Sequence, residues 1–234
     1  MMNTPLITLE NVGCRYKYRK SRFSFGHHDA LKDINMTLHR GETLGVIGRN
    51  GAGKSTLLRL VAGIIEPDFG RIITPQPVTV SLLTLQIGFS NELSGRDNAI
   101  LGAMLLGHSK KEALERVEDI KDFSELDTWF EEPIKFYSSG MRARLGFAVA
   151  IEMCPDVLLV DEVLGVGDES FRKKSTRAMK EKMNSDQTVL FVSHNLNTLK
   201  ELCPRTMYIE NGVTRMVGET EDVIQRYLDT LNQG

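Results

Sequence analysis

Residues 137–168, YSSGMRARLGFAVAIEMCPDVLLVDEVLGVGD, contain a small-residue turn, a helical pattern, an apolar run and two carboxylates. Apolar residues recur at helical spacing over 141–152, and this periodicity predicts a helix with one buried face. The run VLLV at 157–160 follows a proline and predicts a strand buried on both faces of a parallel sheet. The stretch therefore predicts an α/β fold.

The predicted helix begins in Ser138, Ser139 and Gly140. Backbone N–H groups and the positive end of the helix dipole attract phosphate, so this turn is a candidate phosphate site. Serine is also an ordinary N-cap residue, and for the turn taken alone this structural interpretation is the favoured one.

Two adjacent carboxylates, Asp161 and Glu162, end the predicted strand. Because neighbouring strand residues point to opposite faces, we expect the two side chains to have different tasks. One is suited to holding the water shell of a metal ion, and the other to facing a reacting water.

A second phosphate signal lies upstream, where a strand predicted at 43–47 runs into GRNGAGKST. This sequence matches the P-loop pattern, and an apolar helix follows it. We expect the backbone N–H groups of Asn50 through Lys54 to surround a β-phosphate, the Lys54 ammonium to reach the β and γ oxygens, and the Ser55 hydroxyl to bind Mg²⁺. The predicted ATP-binding residues of this loop are Gly48, Arg49, Asn50, Gly51, Ala52, Gly53, Lys54, Ser55 and Thr56.

The order of segments resembles the nucleotide-binding domain of an ABC transporter over essentially the whole chain: a P-loop, a Ser/Gly helix start, a strand ending in Asp-Glu and a strand ending in His194. The resemblance implies a P-loop NTPase core with an antiparallel β subdomain and a helical subdomain. It also implies a Mg²⁺-dependent ATP hydrolase. In that family the Ser/Gly turn is the signature motif, which completes an ATP site on the other subunit of a head-to-tail homodimer.

The resemblance also assigns individual roles. Glu162 matches the carboxylate that orients or deprotonates the attacking water, and Asp161 matches the acid that supports Mg²⁺. His194 matches the histidine that hydrogen-bonds the γ-phosphate, with a structural histidine as the alternative. Gln86 matches the Q-loop metal residue, with a polar residue closing a strand as the alternative, and Asp168 matches an acid of the subunit interface. The catalytic residues so implied are Glu162, His194 and Lys54.

Three departures from the common family pattern narrow the resemblance to one branch of the family. The signature reads YSSGM instead of LSGGQ, VLGVGD follows the carboxylates where SALD is commoner, and residues 88–98 read GFSNELSGRDN. Together they look like the ATPases of polysaccharide exporters, which move O-antigen, capsule or teichoic-acid chains on lipid carriers. The resemblance thus implies that a lipid-linked polysaccharide is the cargo.

The segment at 15–22, RYKYRKSR, has five basic residues interleaved with tyrosines and is predicted as a loop. In the family an aromatic residue near this point stacks on adenine, and Tyr16 is the candidate, with Tyr18 and Phe23 as alternatives. A solvated loop is the plain interpretation of the charges. A further hypothesis places the last three basic residues near the membrane, where anionic headgroups attract them.

Composition limits the classes of function. The net charge of −2 gives no reason to expect nucleic acid as a partner. Three separated cysteines without a CxxC pairing argue against a metal site built from cysteines and are compatible with a reducing cytoplasm. We expect a single nucleotide-binding domain over 1–234, with a core at 1–85 and 153–234 and a helical subdomain at 86–152. No C-terminal carbohydrate-binding domain is expected, because the sequence stops at Gly234.

Residues 72–91 are uncharged over about the length of a membrane span. Two prolines and several polar residues make a span an unsuitable interpretation, and the N-terminus has no apolar signal segment. Transport then needs a membrane partner, and we expect a transmembrane permease subunit. The expected location is the cytoplasmic face of the inner (cell) membrane, bound peripherally.

Two alternative functions come from the same resemblance. One is a soluble ABC ATPase acting on the ribosome or on DNA, although neither a tandem cassette nor a long coiled coil is present in the sequence. The other is an importer ATPase, which the YSSGM signature disfavours.

Overall fold

Long antiparallel strands come first in the computed structural model, which describes residues 4–21, 24–83, 88–161 and 166–232. The strands are β1 (Pro5–Ser21), β2 (Ser24–His39), β3 (Thr43–Ile47), β4 (Phe69–Ile73), β5 (Val80–Leu82), β6 (Val157–Asp161), β7 (Thr188–Val192), β8 (Arg205–Glu210) and β9 (Val213–Glu219). The α-helices are α1 (Lys54–Val61), α2 (Gly95–Leu105), α3 (Lys110–Ser124), α4 (Ser139–Met153), α5 (Glu169–Met183), α6 (Leu196–Leu202) and α7 (Thr220–Asn232). Two short 3₁₀ helices, Asp127–Glu131 and Ile134–Phe136, lie between α3 and α4.

The chain divides into two compact units. The first comprises Met1–Val78, Leu159–Glu162 and Asp186–Gly234, and the second comprises Thr79–Leu158 and Val163–Ser185. The core and helical subdomain predicted from the sequence, divided at 86 and 152, stay a prediction.

A mixed sheet forms the first unit, with the strand order β4-β1-β2-β9-β8-β3-β7-β6. β3 pairs in parallel with β7 and β8, whereas β1 pairs antiparallel with β2 and β4. Every residue of β3 and β7 is buried, because both faces of a parallel strand are covered. The strands predicted at 43–47 and 157–160 are confirmed as β3 and β6, and the strand predicted before His194 is confirmed as β7.

The first basic segment of the chain is a strand, and the loop predicted at 15–22 is wrong for residues 15–21. Lys17 lies opposite His27 in β2, and Arg15 lies opposite Asp29. The Arg15 guanidinium donates from Nε to Asp29 Oδ1 at 2.5 Å. Basic residues and tyrosines alternate here, and this period of two is typical of a strand. The high content of charged residues favoured the loop prediction instead.

The end of the first unit contains a hairpin between β8 and β9. Asn211 and Gly212 have φ values of 52° and 77°, and a two-residue hairpin turn of type I′ needs this left-handed conformation at both positions. The last described helix, α7, follows, and it buries Val223 and Ile224 on its apolar face.

The second unit is mainly helical. Helices α2, α3 and α4 share one core, which includes Ala99, Val117, Phe130 and Leu145. The helix predicted at 141–152 is confirmed within α4. α5 contributes Phe171, whose ring meets the ring of Phe147 edge to face at 6.3 Å.

Among the described residues, no helix has both the length and the apolar character that crossing a membrane requires.

Candidate functional site

The P-loop connects β3 to α1, and two of its glycines, Gly48 and Gly53, are fixed by packing. Gly53 is the N-cap of α1 with φ of 105°, and a Cβ atom there would lie 2.7 Å from the carbonyl oxygen of Ala30. A Cβ atom on Gly48 would lie 2.3 Å from the carbonyl oxygen of Ile209. Any side chain at these positions would push the loop away from the neighbouring strands.

Lys54 lies against the start of its own loop. Its side chain is only 7% exposed, and its Nζ atom donates to the carbonyl oxygens of Gly48 and Arg49 at 2.8 and 3.0 Å. A buried ammonium group needs such partners. They hold the positive charge within the segment that is predicted to surround a phosphate.

Ser55 and Asp161 are brought together although they are far apart in sequence. The Ser55 hydroxyl donates to Asp161 Oδ2 at 3.1 Å, and the carboxylate stands at the tip of β6. Hydroxyl and carboxylate oxygens are the ligand types that Mg²⁺ prefers. The pair therefore fits the predicted metal site.

His194 follows β7 at the same edge of the sheet as the P-loop. Val46 of β3 pairs in register with Val192 of β7, so Gly48 and His194 both lie two residues beyond that pair. The carboxyl ends of parallel strands are where ligands bind in α/β sheets. The His194 side chain is exposed at this edge, and its contact with a γ-phosphate stays a prediction.

The predicted adenine-stacking residue Tyr16 lies within β1, opposite His28. Its hydroxyl group is buried and has no hydrogen-bond partner among the residues that the structure describes. Tyr18, the first alternative, is 47% exposed. Three predicted residues, Phe23, Gln86 and Glu162, lie outside the described residues.

The signature turn forms the start of α4 in the second unit. Ser138 is the N-cap, and its Oγ atom accepts a hydrogen bond from the Met141 N–H group at 3.1 Å, while Ser139 and Gly140 begin the helix. The ordinary N-cap interpretation is therefore confirmed, and phosphate binding at this turn stays a prediction. A cavity of about 300 Å³ lies beside the turn and is lined by Glu125, Leu126, Asp127, Trp129, Ser138, Gly140, Met141, Arg144 and Asp168.

Tyr137, which stands where leucine is common in the family, is buried behind this turn. Its side chain is 6% exposed, and its hydroxyl group donates to the carbonyl oxygen of Trp129 at 2.6 Å. Burial raises the pKa of Tyr137 to about 12, and the nearby Glu131 and Glu132 add to the effect. The hydroxyl group therefore remains a donor at neutral pH.

Two arginines of α4 were missed by sequence reasoning. Arg142 donates to the Asn91 side chain at 3.0 Å, and Arg144 forms an ion pair with Asp168. Asp168 also caps α5, because its Oδ1 atom accepts a hydrogen bond from the Phe171 N–H group at 3.0 Å. The Phe171 N–H group and the Arg144 guanidinium hold the pKa of Asp168 below its usual range.

A P-loop that follows a buried parallel strand, with its serine bonded to an acid at the tip of a second strand, defines a P-loop NTPase. Residues 31–165 match the family model described as ABC transporter. The chain belongs to the ABC transporter family, and it is an ATP hydrolase whose α/β fold is that of the family's ATPase cassette.

Relatives and solved structures agree with this assignment. An O-antigen export system ATP-binding protein, RfbB of Klebsiella pneumoniae, is 48% identical over 198 residues, which cover 85% of this chain and 80% of that protein. The teichoic acids export ATP-binding protein TagH of Shouchella clausii (strain KSM-K16) is 39% identical over 208 residues, which cover 88% of this chain and 57% of that protein.

In structure, the ADP- and Pi-bound dimer of the ATP-binding cassette MJ0796 has a TM-score of 0.72 and 21% identity, covering 92% of this chain and 99% of that one. The predicted likeness to the ATPases of polysaccharide exporters is confirmed by the names of the relatives.

Proposed function

We propose that the chain is the ATP-hydrolysing subunit of an ABC exporter that moves a lipid-linked polysaccharide across the cytoplasmic membrane. The ATPase part rests on one observation above all, the 3.1 Å hydrogen bond that joins Ser55 of the P-loop helix to Asp161 of β6. The cargo part rests on similarity to O-antigen and teichoic-acid export ATPases.

Each subunit would hold ATP on its own P-loop. Lys54 would neutralise the β and γ oxygens from its position against Gly48 and Arg49, and the loop N–H groups would surround the β-phosphate. Ser55 and Asp161 would hold Mg²⁺, which spreads the charge that develops on the phosphate oxygens. Glu162 would orient the attacking water and accept its proton.

The remaining site residues would complete the reaction around the same nucleotide. His194 would hydrogen-bond the γ-phosphate from the edge of the sheet, Tyr16 would stack on adenine, and Gln86 would link the metal to the membrane partner. Ser138, Ser139 and Gly140 would bind the γ-phosphate of the ATP on the partner subunit. A helix N-terminus suits this task because its N–H groups and dipole favour an anion.

The working unit in this proposal is a homodimer bound to a transmembrane permease at the cytoplasmic face of the membrane. ATP held between two subunits would close the dimer, and hydrolysis would remove the bridge and reopen it. The permease would convert this cycle into movement of the polysaccharide.

A Glu162→Gln variant tests the reaction. We expect it to retain ATP binding and to hydrolyse ATP slower by about 100-fold or more, the usual contribution of a general base. Lys54→Ala is the matched control, and it should lose binding as well as hydrolysis. Near-normal turnover by Glu162→Gln would remove Glu162 from the proposed role.

Export is tested separately in the source cell by depleting the chain and following lipid-linked polysaccharide. Accumulation on the inner side of the membrane, reversed by the wild-type chain but not by Lys54→Ala, is the expected result. Unchanged polysaccharide at the surface would contradict the proposed cargo. Capture of the chain on ribosomes or DNA instead of on membranes would favour the soluble alternative.

A further inference from the structure

Arg144 joins the signature helix to the start of the next helix. One face of its guanidinium lies over the ring of Phe171 with 5.0 Å between Cζ and the ring centroid, and its Nη2 atom pairs with Asp168 Oδ2. Its Nη1 atom lies 3.9 Å from Glu125 Oε2, and Glu125 is held in turn by Lys174 at 2.8 Å. The Arg144 side chain is 19% exposed, whereas the Asp168 side chain is 58% exposed, so solvent screens the ion pair from the aspartate side.

Because of the position of Asp168, the ion pair connects two segments of the proposed ATP site. Asp168 is the N-cap of α5, and the sequence reaches it six residues after Glu162. Arg144 stands six residues after Ser138 on α4. Arg144 and Asp168 line the same cavity as Ser138 and Gly140. One ion pair therefore links the helix that presents the signature turn to the segment that leads away from the proposed base.

We propose that Arg144 is a positioning residue, which through Asp168 sets the signature turn at the distance and angle that the partner subunit's ATP requires. This inference rests on the proposed function, because only a shared ATP site gives the turn a partner nucleotide. Small errors in the placement of reacting groups reduce rates strongly. The fold of α5 does not depend on the pair alone, since Asp168 also bonds the Phe171 N–H group and the Phe171 ring is buried.

Substitutions at the two ends of the pair separate positioning from folding. Asp168→Asn keeps a good N-cap side chain and removes the charge that Arg144 needs, whereas Arg144→Gln removes the cation. We expect each variant to lower kcat by about tenfold to 100-fold with little change in the unfolding midpoint. The double variant should be no slower than the slower single variant, because both changes break the same contact.

Dimerisation gives the direct readout. In a Glu162→Gln background, sedimentation with ATP should show that Arg144→Gln weakens the dimer about tenfold or more, while binding of a fluorescent ATP analogue to the P-loop of the monomer is unchanged. Arg177→Gln is the matched control, because Arg177 forms a helical ion pair with Glu181 on an exposed face of α5. That control should dimerise normally.

The outcomes distinguish the two proposals. If the Glu162→Gln protein does not dimerise with ATP, the shared site of the proposed function fails, and the role of Arg144 fails with it. If the Glu162→Gln protein dimerises and adding Arg144→Gln does not weaken the dimer, only the positioning role is overturned. Additive losses of kcat in the double variant, or losses that follow a lowered unfolding midpoint, would also overturn it.

Discussion

Replacing Gly95 with alanine should disrupt the packing behind the signature turn. A Cβ atom at Gly95, the first residue of α2, would lie 2.2 Å from Tyr137 Oη and 2.9 Å from the carbonyl oxygen of Phe130. Non-bonded carbon and oxygen atoms rarely approach within about 3.3 Å, so the buried tyrosine must move by about 1 Å. That movement strains its 2.6 Å hydrogen bond to the carbonyl oxygen of Trp129.

The expected loss in the free energy of unfolding follows from two effects, overpacking and a weakened hydrogen bond. Overpacking of a well-packed core destabilises by about 1–3 kcal/mol, and loss of a hydrogen bond adds about 0.5–1.5 kcal/mol. Alanine in place of glycine stabilises a helix by at most about 0.5–1 kcal/mol, so the net loss expected for Gly95→Ala is about 0.5–4 kcal/mol. Tyr137→Phe alone should lower the free energy of unfolding by about 1 kcal/mol. In the Tyr137→Phe background, the destabilisation by Gly95→Ala should be smaller by at least about 1 kcal/mol than in the wild-type chain.

Urea unfolding followed by tryptophan fluorescence measures these differences, because Trp129 is the single tryptophan of the chain and lies in the second unit. Gly102→Ala is the matched control on the same helix. Its Cβ atom would meet Val149 at 3.4 Å, an ordinary contact, so we expect a neutral or stabilising change. Effects of Gly95→Ala and Tyr137→Phe that add within about 0.5 kcal/mol would refute a direct contact between the two positions.

Three further predictions concern the metal, the pH and the basic segment at 15–22. Asp161→Asn should raise the Mg²⁺ concentration for half-maximal ATPase activity by about tenfold or more, measured by Mg²⁺ titration; an unchanged value would contradict its role. Because the pKa of Tyr137 is raised to about 12, its contribution to stability should be complete below pH 10, where the unfolded phenol is also protonated, and decline as the pH rises toward 12. Tyr137→Phe should lack this decline in unfolding experiments at pH 8 and 11. Reversing the charges of Arg19, Lys20 and Arg22 should impair export and preserve basal ATPase activity, and unchanged export would reject a membrane role for them.

Much of the nucleotide site could be predicted because its signals are local. The P-loop, the strand before it and the helix after it lie within residues 43–61, and the sequence pattern of each depends on neighbours a few positions away. The tip of β6 is similar, since a short apolar run followed by Asp161 is visible in the sequence alone.

Contacts between distant segments could not be predicted in the same way. Arg142 and Asn91 are 51 positions apart, and Arg144 and Asp168 are 24 apart. No local periodicity in the sequence therefore indicates that these residues meet. The prediction of a loop was wrong for residues 15–21 for a related reason. The basic residues of this segment are typical of a solvated loop, and only pairing with β2, including the contact of Arg15 with Asp29, makes the extended backbone favourable.

Two of the departures that mark the exporter branch are in direct contact, and the helix that follows YSSGM contacts the third segment. Tyr137 of YSSGM fits only because Gly95 of GFSNELSGRDN has no side chain to meet its hydroxyl group. Arg142 bonds Asn91 of that same segment, and Arg144 pairs with Asp168 of VLGVGD. A change in one segment therefore alters the packing or the hydrogen bonds of another. This interdependence gives a structural reason for their joint presence, whereas each motif taken alone would identify the branch only weakly.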